Sequence, residues 1–166
     1  MKICGRAELA QIVARDPNQS AIVIGESPQK TDETQRIVLE YILGAIEESC
    51  FLRFDDIIFP EPGKVLATEE HVQQAIDWAK DKNDFIVACH AGISRSSAMM
   101  YVVRCSKMDP EEAVTILNYD LHVPNLHVVG LGAKVLNNPK VEQVYLTWSK
   151  NPRAFSLVVN DQRGKR

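Results

Sequence analysis

Phe85-Ile-Val-Ala-Cys89-His-Ala-Gly92-Ile-Ser94-Arg95-Ser96-Ser97 decides how the chain folds. Phe85 to Ala88 is an apolar, β-branched run behind the charged turn Lys80–Asp84, which predicts a buried strand. The strand ends on a cysteine. From Ser94 onward, Arg-Ser-Ser-Ala-Met-Met-Tyr-Val-Val predicts a helix reaching to about Lys107, with Ser94 as its N-cap. In a strand, a glycine-bearing loop and a helix start, successive backbone N–H groups converge on an anion.

The residue types in that loop suit one kind of chemistry. A thiol attacks only as thiolate, and an unperturbed cysteine with a pKa of ~8.5 is about three per cent ionised near neutrality. Loop amides, a helix N-terminus and a guanidinium all favour the thiolate, so Cys89 is the candidate nucleophile. Gly92 allows the positive φ that turns amides inward. Arg95 offers a planar fork for two oxygens of a phosphate or sulfate. The Ser96 hydroxyl is placed to stabilise the sulfur as a leaving group. His90, Ala91, Gly92, Ile93, Ser94 and Arg95 would together hold a tetrahedral dianion. A lone cysteine at a strand end is usually packing, but Cys-x-x-Gly-x-x-Arg-Ser arises by chance in on the order of one chain in a thousand.

Working outward, Asp55-Asp56-Ile-Ile-Phe-Pro-Glu-Pro-Gly is the second informative stretch. A strand ending in carboxylates and entering a Pro/Gly-rich loop holds an acid over a pocket while leaving it movable. Such an acid protonates a departing oxygen, an effect of roughly 10²–10⁴ in rate. Asp56 is favoured over Asp55 because side chains alternate along a strand and the last residue is freest to enter the loop. Two solvated turn aspartates are the plainer alternative.

The remaining pattern is βα. Arg6–Arg15 predicts a helix burying Leu9, Ile12 and Val13, and Ala21–Gly25 a buried strand. Asp32–Ser49 predicts a helix with Ile37, Tyr41, Ile42, Ala45 and Ile46 inward, followed by a strand Cys50–Phe54. Thr68 caps a helix to about Lys80, and Asp109-Pro110 starts another with Ala113, Val114, Ile116 and Leu117 inward. His122-Val-Pro124-Asn125 opens a helix, with Asn125 either bracing the loop or simply capping. Val141, Val144, Tyr145 and Trp148 mark a last helix. Phe155–Val159 reads as an added strand for a sheet edge or a second subunit, before a basic end. The expected fold is α/β, a small mostly parallel central sheet flanked by helices, with one domain over 1–150 and an extension over 151–166.

Cys89-His-Ala-Gly-Ile-Ser-Arg-Ser resembles the phosphate-binding loop of the cysteine-dependent protein tyrosine and dual-specificity phosphatases, whose pattern is His-Cys-x-x-Gly-x-x-Arg-Ser/Thr. The likeness runs from about Phe51 to Arg104, with weaker hints to Pro124-Asn125. It implies attack on phosphorus by Cys89, oxygen binding by Arg95, help to the departing thiolate from Ser96, and a loop aspartate about thirty residues upstream. Asp56 and Asp55 lie 33 and 34 residues before Cys89. The chain departs from the pattern at Ala88, where the family usually has a histidine that positions and tunes the cysteine.

Composition bounds the rest. The chain has 166 residues, 45% of them hydrophobic and 25% charged, with a formal net charge of −3. That suffices for one core and argues against nucleic acid as the main partner. No apolar run has membrane-spanning length, the first residues lack a signal-peptide pattern, and four irregularly spaced cysteines read as reduced thiols of a cytoplasmic protein. Cys4, Cys50 and Cys105 read as packing residues, with a resolving thiol for Cys89 the alternative. The four histidines show no metal spacing, so neither metal nor other cofactor is expected.

The expected function is hydrolysis of phosphate monoesters on protein side chains, phosphotyrosine foremost and phosphoserine/threonine after it, through a phosphocysteine intermediate. The expected partners are a phosphorylated protein or peptide, and phosphate, sulfate or vanadate in the loop. Three rivals remain: a non-catalytic phosphoresidue-binding module motivated by Ala88, a phosphatase of a non-protein ester, and a sulfur-transferring rhodanese type. The loop His90–Ser94 carries no lysine, which disfavours highly phosphorylated inositol lipids.

Overall fold

A computed structural model describes residues 1–29 and 32–151. Among these, four parallel strands form the sheet: β1 (Lys2–Gly5), β2 (Ser20–Gly25), β3 (Glu48–Arg53) and β4 (Ile86–Cys89), in the order β1-β4-β2-β3. The expected α/β class holds, and the sheet is parallel throughout. Phe155–Val159 and the basic end lie outside the described residues.

Side-chain alternation divides the sheet into two faces. Ala21, Val23, Ile86 and Ala88 pack with Cys4 against α1 (Arg6–Arg15) and α2 (Glu33–Ala45). Ile22, Ile24, Val87 and Cys89 join the larger cluster with α3 (Glu69–Ala79), α4 (Arg95–Cys105), α5 (Pro110–Ala113), α6 (Leu126–Val135) and α7 (Lys140–Lys150). β1 and β2 hand the chain to one face, whereas β4 between them hands it to the other. Diverging connections of this kind open a crevice at the carboxyl ends of parallel strands.

Helix α4 is the centre of the larger cluster, buried at every residue from Arg95 to Val103. Burial on all sides explains its lack of a polar stripe. Gly132 lets α6 close on it, because a Cβ there would lie 2.4 Å from Val102 Cγ2. Tyr101 Oη donates to Val141 O at 2.7 Å, and Tyr145 Oη donates to Pro124 O at 2.9 Å. These bonds tie α4, α7 and the Pro124-Asn125 turn into one support.

Several elements differ from expectation. β1 was not foreseen; Lys2-Ile-Cys-Gly5 has no apolar run of the kind that marks the equally short β4. Helix α2 ends at Ala45, because Glu48 and Ser49 pair with Ser20 and Ala21. Its buried side is Leu39 and Ile42, continued by Ile46, while Ile37 and Tyr41 are 55% and 48% exposed. Ile42 and Ile46 are buried as expected, and packing on α1 takes Leu39 in place of Ile37 and Tyr41. The helix expected at Asp109 is a single turn followed by a 3-10 turn, Val114–Ile116, which half-exposes Ile116.

Candidate active site

Cys89 is the last residue of β4 and is buried, 3% exposed. Its Sγ lies 3.2 Å from Ser96 Oγ and accepts from Gly92 N at 3.3 Å. Gly92 has φ +77°, and a Cβ there would stand 2.5 Å from Cys4 C and Gly5 N. No other residue supplies both the conformation and the clearance. The loop is therefore seated on the β1–α1 junction, where Arg6 N also donates to His90 O at 3.1 Å.

On the other side, Ile93 O accepts from Val123 N at 3.1 Å, and Ser94 O from Ala98 N and Asn125 N at 3.0 and 3.3 Å. A trans peptide points its N–H opposite its C=O, so the amides of Ser94 and Arg95 point away from those partners. The loop thus has the geometry of an anion nest.

Arg95 is 5% exposed and fixed from two directions. Nη1 donates to Phe54 O at 3.0 Å and Nη2 to Glu26 Oε1 at 2.6 Å. Its Nε is buried with no hydrogen-bond partner among the described residues. The edge formed by Nε and the second Nη2 hydrogen is the one suited to a side-on pair of oxygens. Glu26 follows β2 and also accepts, on Oε2, from Arg6 Nη2 at 2.6 Å. Burial disfavours the charged carboxyl, but the hydrogen bonds and charges of Arg6 and Arg95 outweigh it and hold Glu26 down at about 2. Arg6 is itself buried and passes Nη1 to Gln35 Oε1 at 3.0 Å. The same Gln35 oxygen lies 3.1 Å from His90 Nδ1, so that ring turns toward α2.

The two aspartates have opposite fates. Asp55 is 3% exposed and accepts from Ser27 N at 3.3 Å and Val65 N at 2.8 Å, clamping the loop after β3 to the loop after β2. Asp56 is exposed and turns toward the cysteine loop. Its Oδ1 accepts from Ser94 Oγ and Asn125 Nδ2, both at 2.8 Å. Ser94 occupies the N-cap of α4, but its side chain does not cap the helix. The expected cap is corrected: the hydroxyl holds Asp56 instead. Asn125 fills both roles considered for it, capping α6 through Oδ1 to Val128 N at 3.2 Å while Nδ2 reaches Asp56 and Ile57 O.

Ala88 faces the α1–α2 layer, paired with Cys4 and Val23. The usual histidine would have to fit that small-residue seam. Burial pushes the Cys50 thiol up to about 11 and the Cys4 and Cys105 thiols up to about 12. All four cysteines are free thiols. His127 binds Ala67 O, and His71 closes a capping box with Thr68.

Exposed apolar side chains adjoin the site residues: Ile93 in the loop, Val123, whose N–H holds Ile93 O, Ile58 and Phe59 just after Asp56, and Leu126 just after Asn125. Ile58, Phe59 and Leu126 continue into a groove of about 550 Å³. No described helix is long and apolar enough to cross a membrane.

Sequence reasoning missed Glu26, Arg6 and Gln35. One signal was present: a buried strand ending in a carboxylate, at Gly25-Glu26 as at Asp55-Asp56.

No family model and no curated protein sequence matches the chain. Solved structures do. The active form of Tk-PTP superposes with a TM-score of 0.54 at 12% identity, over 82% of this chain and 88% of its own. PTPMT1 in complex with PI(5)P gives 0.53 at 13%, over 82% and 87%. The Cydia pomonella PTP-2 phosphatase gives 0.51 at 18%, over 78% and 81%.

Proposed function

We propose that this chain, which has the fold of the tyrosine and dual-specificity phosphatases, hydrolyses phosphate monoesters through a phosphocysteine. One observation carries the reading: Cys89 Sγ is met by Gly92 N and Ser96 Oγ in a loop closed by Arg95, while Asp56 is tied to that loop at Ser94. Cys89 thiolate attacks phosphorus in line, the P–O bond to the leaving group breaks, and Asp56 gives its proton to the departing oxygen. Water then attacks the phosphocysteine, Asp56 takes the proton, and the thiolate leaves with Ser96 Oγ donating to it. Arg95 and the loop amides bind the equatorial oxygens throughout.

The favoured substrate is phosphotyrosine on a protein or peptide. Ile93, Val123, Ile58 and Phe59 suit an aromatic leaving group, and the loop residues His90–Ser94 bring no lysine for further phosphates. A phosphate ester on another apolar body, a lipid included, is supported by the same rim and its adjoining groove.

Turnover of p-nitrophenyl phosphate in EDTA, followed by phosphotyrosyl, phosphothreonyl and lipid phosphate substrates, tests the proposal. Activity lost in Cys89→Ser with vanadate binding retained is expected. No turnover with retained phosphate binding would favour the phosphoresidue-binding module.

A further inference from the structure

Behind the loop lie two side chains that the chemical steps do not use, Arg6 and Glu26. Arg6, 2% exposed, shares one carboxylate with Arg95: Oε2 of Glu26 goes to Arg6 and Oε1 to Arg95, each at 2.6 Å. Arg6 is held by Gln35 through its other terminal nitrogen, and its backbone N–H holds His90 O. Two guanidiniums on one ionised carboxylate leave the cluster one positive charge in excess. Buried charge of this kind is stable only with tightly held partners.

We infer that Arg6 is a positioning residue for the phosphate site: by holding the far oxygen of Glu26 it prevents that carboxylate from closing on both edge nitrogens of Arg95. Arg95 Nη1 is committed to Phe54 O and Nη2 to a single Glu26 oxygen, while Nε has no partner. A carboxylate released from Arg6 is free to pivot and pair bidentately with Nε and Nη2, the geometry guanidinium–carboxylate pairs favour. It would then occupy the donors a phosphoryl group needs. Loss of Arg6 would also cancel the excess charge that a dianion meets. The inference rests on the phosphate-site reading proposed above.

The test uses inorganic phosphate as the probe and protection of Cys89 from iodoacetamide as the readout, so turnover is not required. Arg6→Met is expected to weaken phosphate binding by about tenfold or more, and to raise KM more than it lowers kcat. Arg6→Lys, which keeps the charge and one contact to Glu26, is expected to retain most of the affinity. The discriminating variant is the double Arg6→Met/Glu26→Gln. With the competing carboxylate removed, it should bind phosphate more tightly than Arg6→Met alone, a sign of coupling that shared structural damage does not produce. If Arg6→Met does not fold, Arg6→Gln alone and with Glu26→Gln carries the same comparison. Arg6→Met within about twofold of wild type, or a double variant as weak as the single, overturns the inference. Absence of phosphate protection in the wild-type protein instead overturns the site reading, and the role of Arg6 with it.

Discussion

The two sides of the Cys89 loop are built from opposite materials. Behind it, Arg6, Glu26 and Arg95 are buried or nearly so and joined by short ion pairs. In front, Asp56 is exposed on a loop that enters Phe59-Pro60-Glu61-Pro62-Gly63, held by two neutral donors. A fixed charge must be ready before substrate arrives, and preorganisation supplies that. A proton donor must approach, deliver and withdraw, which a tethered loop permits. Adjacent Asp55 and Asp56 show how finely the boundary is drawn: one residue separates a buried clamp from the exposed carboxylate proposed as the acid.

The sharpest way to break this contrast is at the sulfur both sides serve. Cys89→Ser should reduce turnover by at least about 10⁴ while vanadate still binds; activity near wild type in a p-nitrophenyl phosphate assay would mean the two sides frame something else. Asp56→Asn should lower kcat roughly 10²-fold, most for substrates with poor leaving groups. Asp55→Asn should instead cost about 1–3 kcal/mol of stability through its Ser27 and Val65 amides, read in urea unfolding. If the leaving-group dependence follows Asp55, the front has been misassigned.

The back is separated from the front by pH. Glu26 is depressed in the folded protein to about 2 from an ordinary 4.5, with burial opposing and the two arginines prevailing. A depressed carboxyl contributes stability that is present above its unfolded value and lost as pH falls through the folded one. The stability gap between wild type and Glu26→Gln should therefore be full above about pH 4.5, shrink toward pH 2, and vanish below it; on the order of 3 kcal/mol is at stake. Urea titrations at pH 6, 4 and 3 measure it, and a pH-independent gap would remove the ionic account. Smallest is Ser94→Ala. Because the hydroxyl holds Asp56 and not the helix, the variant should change stability by only a few tenths of a kcal/mol, less than a lost N-cap costs, yet lower kcat several-fold.

How much of this was legible in the chain follows from distance along it. The strand, loop and helix around Cys89, the positive φ of Gly92 and the Asp55-Asp56 pair lie within local patterns, and each was readable. Alternation at the strand end separates the two aspartates, Asp55 buried and Asp56 exposed. Arg6, Glu26 and Arg95 are far apart in sequence and share no spacing, so their union is a property of the sheet order alone. β1, no shorter than β4, lacked the apolar run that announced it. Ile37 and Tyr41 satisfied helical periodicity alongside Ile42 and Ile46, and only contact with α1 buries Leu39 in their place. Ser94 carried a good cap signature, but its hydroxyl found an anion across the pocket.

The seat of the cysteine loop has a consequence for how the protein would fail. Gly92 rests on the Cys4–Gly5 peptide, which belongs to a four-residue strand at the sheet's margin. Marginal strands detach at a small fraction of the free energy needed to melt a whole domain. Fraying there would lift the floor from under Cys89 while the hydrophobic interior stays intact, so heat or denaturant should extinguish the proposed activity well before any spectroscopic sign of collapse.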